Sequence, residues 1–158
     1  MLTKFSFFIL LITIAIACHK TENIVNENET NPPAGVVPHL EFVSVNKLLV
    51  REYLDTLVFT IRYLDGDGDL GFADADSMSI VLKDSRDANN LIFEYPLAPL
   101  APAGTNLTIQ GELTVFLQNP IRINNQSASE TAHFYLQIRD RANNRSNIVQ
   151  SPDITILP

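Results

Sequence analysis

The sequence predicts an all-β domain, a single antiparallel β-sandwich of about seven strands over residues 39–158, and three observations carry that prediction. Apolar residues recur with a period of two from His39 onward, as they do in half-buried strands. Steps such as Asp65-Gly66, Asn119-Pro120 and Asn124-Asn125 separate these runs with turn chemistry. No stretch sustains a 3.6-residue period over three helical turns. A region of this length suits one domain, and its strand spacing fits a sandwich better than an α/β fold.

The elements follow in order. Leu40–Val45 reads as a first strand, and Lys47–Asp55 is ambiguous, since Leu48, Leu49 and Tyr53 are also compatible with a single helical turn. Leu57, Phe59, Ile61 and Tyr63 alternate cleanly with their neighbours, and Ser79–Lys83 and Leu91–Tyr95 give two shorter runs. Leu107, Ile109, Leu113, Val115 and Leu117 form a longer run interrupted at Gly111, where a bulge or a bend between sheets is expected. Phe134, Leu136 and Ile138 alternate again, and a last strand over Asn147–Ile156 is broken by Pro152. The remaining turns are Asp84–Asn90, Pro96–Gly104 and Asp140–Asn144.

Residues 1–17 have a different character. Lys4 precedes an almost unbroken apolar run from Phe5 to Ile16, the n-region and h-region of a secretory signal peptide. That run is too short for a bilayer-spanning helix, which needs about 20 residues. Ala15-Ile16-Ala17-Cys18 follows and places the chain's single cysteine directly after a small-residue cleavage site. It resembles the lipobox of bacterial lipoproteins, with Ala15 where leucine is usual. The resemblance implies that Cys18 becomes the mature N-terminus and carries diacylglycerol and palmitate. Each acyl CH₂ contributes about 0.8 kcal/mol on burial, so several chains hold a protein durably on a membrane.

Residues 18–38 then read as the lipidated cysteine and a disordered tether. Asn26-Glu27-Asn28-Glu29-Thr30-Asn31 and Pro32-Pro33 bury too little apolar surface to fold, and a coil of this length spans roughly 25 Å. The whole chain has 11 Lys+Arg against 18 Asp+Glu, a net charge of −7. Cleavage after Ala17 removes Lys4, leaving ten basic residues against the same 18 acidic ones, a net of −8. Such a body is repelled by nucleic-acid phosphates and by anionic lipid headgroups alike. One cysteine forms no internal disulfide, which excludes a disulfide-stapled scaffold.

A second resemblance lies at the other end of the chain. Phe134-Tyr135-Leu136-Gln137-Ile138-Arg139-Asp140-Arg141-Ala142-Asn143-Asn144-Arg145-Ser146-Asn147 is similar to the penultimate strand and turn of bacterial immunoglobulin-like domains, with Asn143 where glycine is frequent. Asparagine tolerates positive φ, so the turn survives the exchange. Signal peptide, lipobox, tether, Leu64-Asp65-Gly66-Asp67-Gly68-Asp69-Leu70-Gly71 and this strand pair together resemble small lipoproteins of the Bacteroidetes. The resemblance implies an immunoglobulin-like sandwich exported and lipid-anchored to the outer membrane, on its periplasmic or its surface face. It implies no activity.

The one candidate site is acidic. Asp65, Asp67, Asp69, Asp74 and Asp76 place five carboxylates within twelve residues, the first three alternating through glycines. Hard cations such as Ca²⁺ take about 6–8 oxygen ligands, and alternate positions of a tight turn direct carboxylates at one centre. Counted from Asp65, position six is Leu70 rather than glycine and position twelve is Asp76 rather than glutamate, so the loop is a freer D-x-D-x-D kind and not an EF-hand. The alternative is a solvated Asp-Gly turn that needs no metal. Asp140 and Asn143 add oxygens only if their turn lies at the same end of the domain.

Other motifs weigh little. His19, His39 and His133 lack metal-ligand spacing, and there is no G-x-S-x-G, P-loop, G-x-G-x-x-G or C-x-x-C. Asp55-Thr56-Leu57 and Asp76-Ser77-Met78 resemble the O-glycosylation acceptor of Bacteroidetes, and equally read as turn aspartates that start strands. The expectation is therefore a non-catalytic binding or scaffold module with a protein or glycan partner, stabilised by structural Ca²⁺. The runner-up, a carbohydrate-binding module, requires Tyr53, Tyr63, Tyr95 or Tyr135 to share an exposed face, because the chain has no tryptophan.

Overall fold

The computed structural model describes residues 35–86 and 91–158. Cys18, the signal peptide and most of the tether lie outside the described residues. Ten strands and no helix are found among those described: β1 (His39–Val45), β2 (Leu49–Arg51), β3 (Thr56–Asp65), β4 (Met78–Asp84), β5 (Ile92–Pro96), β6 (Ile109–Gln118), β7 (Glu130–Ala132), β8 (Phe134–Ile138), β9 (Val149–Gln150) and β10 (Ile154–Leu157). They form three sheets, ordered β1-β3-β6, β2-β10-β7 and β5-β4-β8-β9. The domain is all-β, as the period of two requires.

The alternation does what the pattern demands. Leu57, Phe59 and Ile61 of β3 are fully buried, as are Leu82 of β4 and Phe134 and Leu136 of β8, while Arg62 and Phe116 face outward. These inward residues belong to one apolar cluster to which all three sheets contribute, Val50 from β2 and Ile154 and Ile156 from β10 included. The rings of Phe59 and Phe134 meet there at 5.3 Å between centroids, tilted by 55°. Such aromatic pairs contribute about 0.5–1.5 kcal/mol beyond the area they bury.

Ten strands replace the seven expected because β2 forms within Lys47–Asp55, β7 precedes the Phe134 run, and the last run divides in two. His133 separates β7 from β8, where its N–H leaves the ladder to donate to Ser85 Oγ at 3.0 Å. Pro152 separates β9 from β10, and beside it Ser151 Oγ accepts the Phe134 N–H at 2.9 Å. Two hydroxyls thus satisfy backbone donors that the interrupted ladders would orphan. Across each interruption the chain changes sheet, β7 and β10 joining β2.

Two further expectations are corrected, and one ambiguity is resolved. The domain is not wholly antiparallel, since β10 pairs β2 in parallel through Thr155–Leu49, Ile156–Val50 and Leu157–Arg51. Lys47–Asp55 combines both readings: it contains β2 and then one isolated turn, closed by the Asp55 N–H on Arg51 O at 3.2 Å and by the Asp55 carboxylate, which accepts the Arg51 N–H at 2.7 Å and pairs with Lys47. Gly111 marks no bulge, because β3 and β6 stay in register from Thr56–Gln118 to Asp65–Ile109. Instead it makes room for its cross-strand neighbour, as a Cβ there would lie 2.8 Å from the Tyr63 hydroxyl.

Hydrogen bonds gather the loops into two groups at opposite ends of the strands. Beyond Asp65, the 66–77 loop meets the 97–108 loop through Phe72 N to Leu97 O at 2.8 Å, and the 139–144 turn through a Leu70–Asp140 bridge. At the other end, Tyr53 N donates to Pro120 O at 3.2 Å, Ser85 N to His133 O at 2.9 Å, and Arg86 reaches Ile121 O at 2.9 Å. The chain arrives at the first of these ends. Gly66 N donates to Gly35 O at 2.9 Å, Asn144 Nδ2 to Val36 O at 3.2 Å, and Pro38 is buried, so the last residues of the segment read as tether lie against the domain.

Candidate metal centre

β3 carries Asp65 into the interior at its last position, where the residue is fully buried. The following Gly66 and Gly68 let the chain fold back at once. Gly68 takes φ 70°, and a side chain there would collide with the backbone carbonyl of Leu107, so the position accepts only glycine without strain. This tight path brings an oxygen from each of Asp65, Asp67 and Asp69 within 4.8 Å of the others.

The three carboxylates are incompletely satisfied. Asp65 Oδ2 accepts the Asp69 N–H at 3.0 Å, and Asp69 Oδ2 accepts the Ala142 N–H at 3.0 Å. Oδ1 of Asp65, of Asp67 and of Asp69 is buried without a hydrogen-bond partner. Burial first, and then the charges of Asp67 and Asp69, push the Asp65 carboxyl up to about 6, against the pull of the Asp69 amide. Burial and the charges of Asp140 and Asp67 likewise raise Asp69, opposed by the Ala142 amide and Arg141.

Arg141 is the nearest cation of the neighbouring turn, and it does not neutralise the cluster by direct pairing. Its guanidinium donates to the backbone carbonyls of Gly71 at 2.9 Å, Gly68 at 3.3 Å and Leu70 at 3.4 Å. These bonds clamp the loop from outside. The loop does share its end of the domain with Asp140 and Asn143. Asp140 is fully buried, yet its carboxylate is taken up by Asn144, whose N–H donates at 2.6 Å and whose Nδ2 donates at 2.8 Å. Asn143 adopts φ 70° as its place in the turn requires, and its side chain accepts from Arg139.

Asp74 and Asp76 lie outside the cluster. Asp74 shapes its own turn, accepting the Asp76 N–H at 3.1 Å and the Ser77 hydroxyl at 3.1 Å. That geometry is an Asx turn, in which the Asp74 carboxylate is taken up locally.

The tyrosines do not gather. Tyr53 is exposed, Tyr63 and Tyr95 pack partly against the core from different sheets, and the Tyr135 hydroxyl lies 2.9 Å from His133 Nε2. One polar network was not legible beforehand. Arg86, nearly buried, forms a fork on Asp84 and reaches Glu130 at 2.7 Å, while Arg122 pairs with Glu52 at 2.7 Å beside it. Arg86 stands two residues after Asp84 but 44 before Glu130 in sequence, and no local spacing announces such a contact. Comparison with family models, with curated proteins and with solved structures returned no match.

Proposed function

We propose that the chain is an exported lipoprotein, held on the bacterial outer membrane through acylated Cys18, whose immunoglobulin-like domain is a non-catalytic binding and scaffold module stabilised by calcium at its aspartate loop. The observation that carries this reading is the polarity of the domain. Gly35 and Val36 approach at the end that holds the acidic loop, which leaves the 46–55 and 119–129 loops at the far end, directed away from an anchor. Loops positioned by a rigid scaffold are where binding surfaces concentrate. Tyr53, Leu54 and Ile123 are exposed there.

The strand order supports the immunoglobulin-like assignment. β1-β3-β6 faces β5-β4-β8-β9 across the shared core, so sequence neighbours β3 and β4 fall in opposite sheets, as Greek-key connections arrange them. The third sheet, in which β2 pairs in parallel with β10, adds Val50, Ile154 and Ile156 to the same core.

Metabolic labelling with an alkyne palmitate, followed by membrane fractionation, tests the anchor. Label on the wild-type chain in the outer-membrane fraction and its loss in Cys18→Ser is the expected result; equal labelling of both overturns the lipoprotein reading. Photo-cross-linkers at Leu54 and Ile123 test display, and capture no greater there than from Glu112 on β6 overturns it. A glycan as the captured species supports the carbohydrate-binding alternative.

A further inference from the structure

We infer that the carboxylates of Asp65, Asp67 and Asp69 bind one Ca²⁺ between them, and that this ion locks the approaching segment Gly35–Pro38 to the domain by fixing the loop that holds it. The inference rests on the calcium part of the reading above and deepens it, naming the ligands and what their occupancy controls.

The acids of this domain divide into satisfied and unsatisfied ones. Asp84 is buried against the Arg86 guanidinium, and Asp140 is buried against the amides of Asn144. Asp65 is equally buried, and one of its oxygens meets no donor at all. Buried carboxylates are ordinarily neutralised by a cation or by hydrogen bonds, because leaving them bare is costly. Here each of three neighbouring acids leaves a buried oxygen unpaired, an oxygen from each lies within 4.8 Å of the others, and Arg141 is committed to carbonyls. The missing partner is a cation small enough to sit among them. An all-oxygen donor set selects a hard ion, and oxygens within 4.8 Å of one another suit the shell of Ca²⁺, whose ligands sit at about 2.3–2.6 Å. Water supplies the rest of the shell.

The coupling follows from what the same loop grips. Gly66, between two ligands, donates its N–H to Gly35 O at 2.9 Å, while its own carbonyl accepts the Thr108 hydroxyl at 3.1 Å. Asn144 donates to Val36 O and to Asp140, and its turn is bound to the loop through Arg141 N to Asp69 O at 3.2 Å and Ala142 N to Asp69 Oδ2. Without the ion, repulsion among three carboxylates at this spacing drives the loop apart, and Gly66 and the Asp69–Ala142 contact move with it. With the ion, both grips on Gly35 and Val36 are held in place.

The test uses the full chain in detergent micelles. Calorimetric titration with CaCl₂ is expected to show a single site, and hydrogen exchange in Ca²⁺ against chelator is expected to slow at the Gly66 amide, which donates to Gly35 O, and at the Leu40 amide, which donates to Asn147 Oδ1. At 100 times the dissociation constant the slowing reaches up to about a hundredfold, the factor by which occupancy suppresses local opening. Asp67→Asn, which removes a charge but no hydrogen bond of the fold, lowers Ca²⁺ affinity by at least about tenfold and abolishes the slowing, whereas Asp74→Asn changes neither. One Ca²⁺ bound with unchanged exchange at Gly66 and Leu40 overturns the lock and leaves the site standing. No Ca²⁺ binding overturns both, and equal affinity for Mg²⁺ overturns the choice of ion.

Discussion

The backbone N–H of Asp69 donates to Asp65 Oδ2 at 3.0 Å, so the loop satisfies one oxygen of a fully buried carboxylate and leaves the other bare. A half-satisfied buried acid is a source of instability in the metal-free protein, and the sign of its pH dependence follows directly. Burial and the neighbouring aspartates hold Asp65 at about 6 in the folded chain, above the 3.8 of a free aspartate. The folded state therefore binds the proton more tightly than the unfolded one. Stability from this group is greatest below pH 4 and declines as pH rises to about 6.

Asp65→Asn removes the charge and keeps an oxygen for the Asp69 amide. In chelator at pH 7.5 the variant is expected to be more stable than wild type by about 1–3 kcal/mol, and at pH 4 the difference largely disappears. In millimolar Ca²⁺ the order reverses, because only the wild type gains from the ion. Thermal unfolding of both proteins under the three conditions measures this. A variant less stable than wild type in chelator at pH 7.5 contradicts the account.

The Arg86 network makes the opposite kind of prediction. Arg86, Asp84 and Glu130 are nearly buried, and the guanidinium serves both acids and the Ile121 carbonyl. Arg86→Ala strands two carboxylates and is expected to cost about 3–5 kcal/mol. Arg86→Lys retains the charge but not the fork, and is expected to cost roughly half as much. Urea unfolding at neutral pH separates the two, and equal stability of the alanine variant and wild type refutes the assignment.

Glycine substitutions discriminate between backbone conformation and space. Gly68, Gly71 and Gly104 all take positive φ, at 70°, 82° and 77°. A side chain at Gly68 meets the Leu107 carbonyl and one at Gly71 the Ala98 carbonyl, whereas Gly104 opens onto free space. Gly104→Ala therefore costs about 1 kcal/mol, for the left-handed backbone alone. Gly68→Ala and Gly71→Ala add displacement of backbone and cost about 2–4 kcal/mol. Comparable denaturation midpoints for all three variants would show the close contacts to be unimportant.

Much of this was written locally in the chain. Leu57, Phe59 and Ile61 announce a half-buried strand because the two-residue period is a property of the strand itself. Asp65, Asp67 and Asp69 are legible for the same reason, since one tight turn suffices to bring them together. Asp74 and Asp76 belong to the same acidic run, and only the turn formed by Asp74 and Ser77 shows why they stand apart. What lay hidden depends on distant partners. The parallel pairing of Leu49–Arg51 with the last strand joins residues about a hundred positions apart, and the interruption at His133 goes with a hydroxyl from Ser85, 48 residues away. Gly111 looked like an interruption of its own strand because the Tyr63 ring that it accommodates sits on another.

The antiparallel register of β1 on β3 has a mechanical meaning. β1 begins at His39 opposite Leu64 and runs to Val45 opposite Phe59, so its first residue lies at the end where the chain arrives. A pull on the residues before it, resisted by whatever grips the far loops, acts along the strand axis, while the ladder bonds lie across that axis. The load is shear. The pairings from His39–Leu64 to Val45–Phe59 bear such a load together instead of opening one by one.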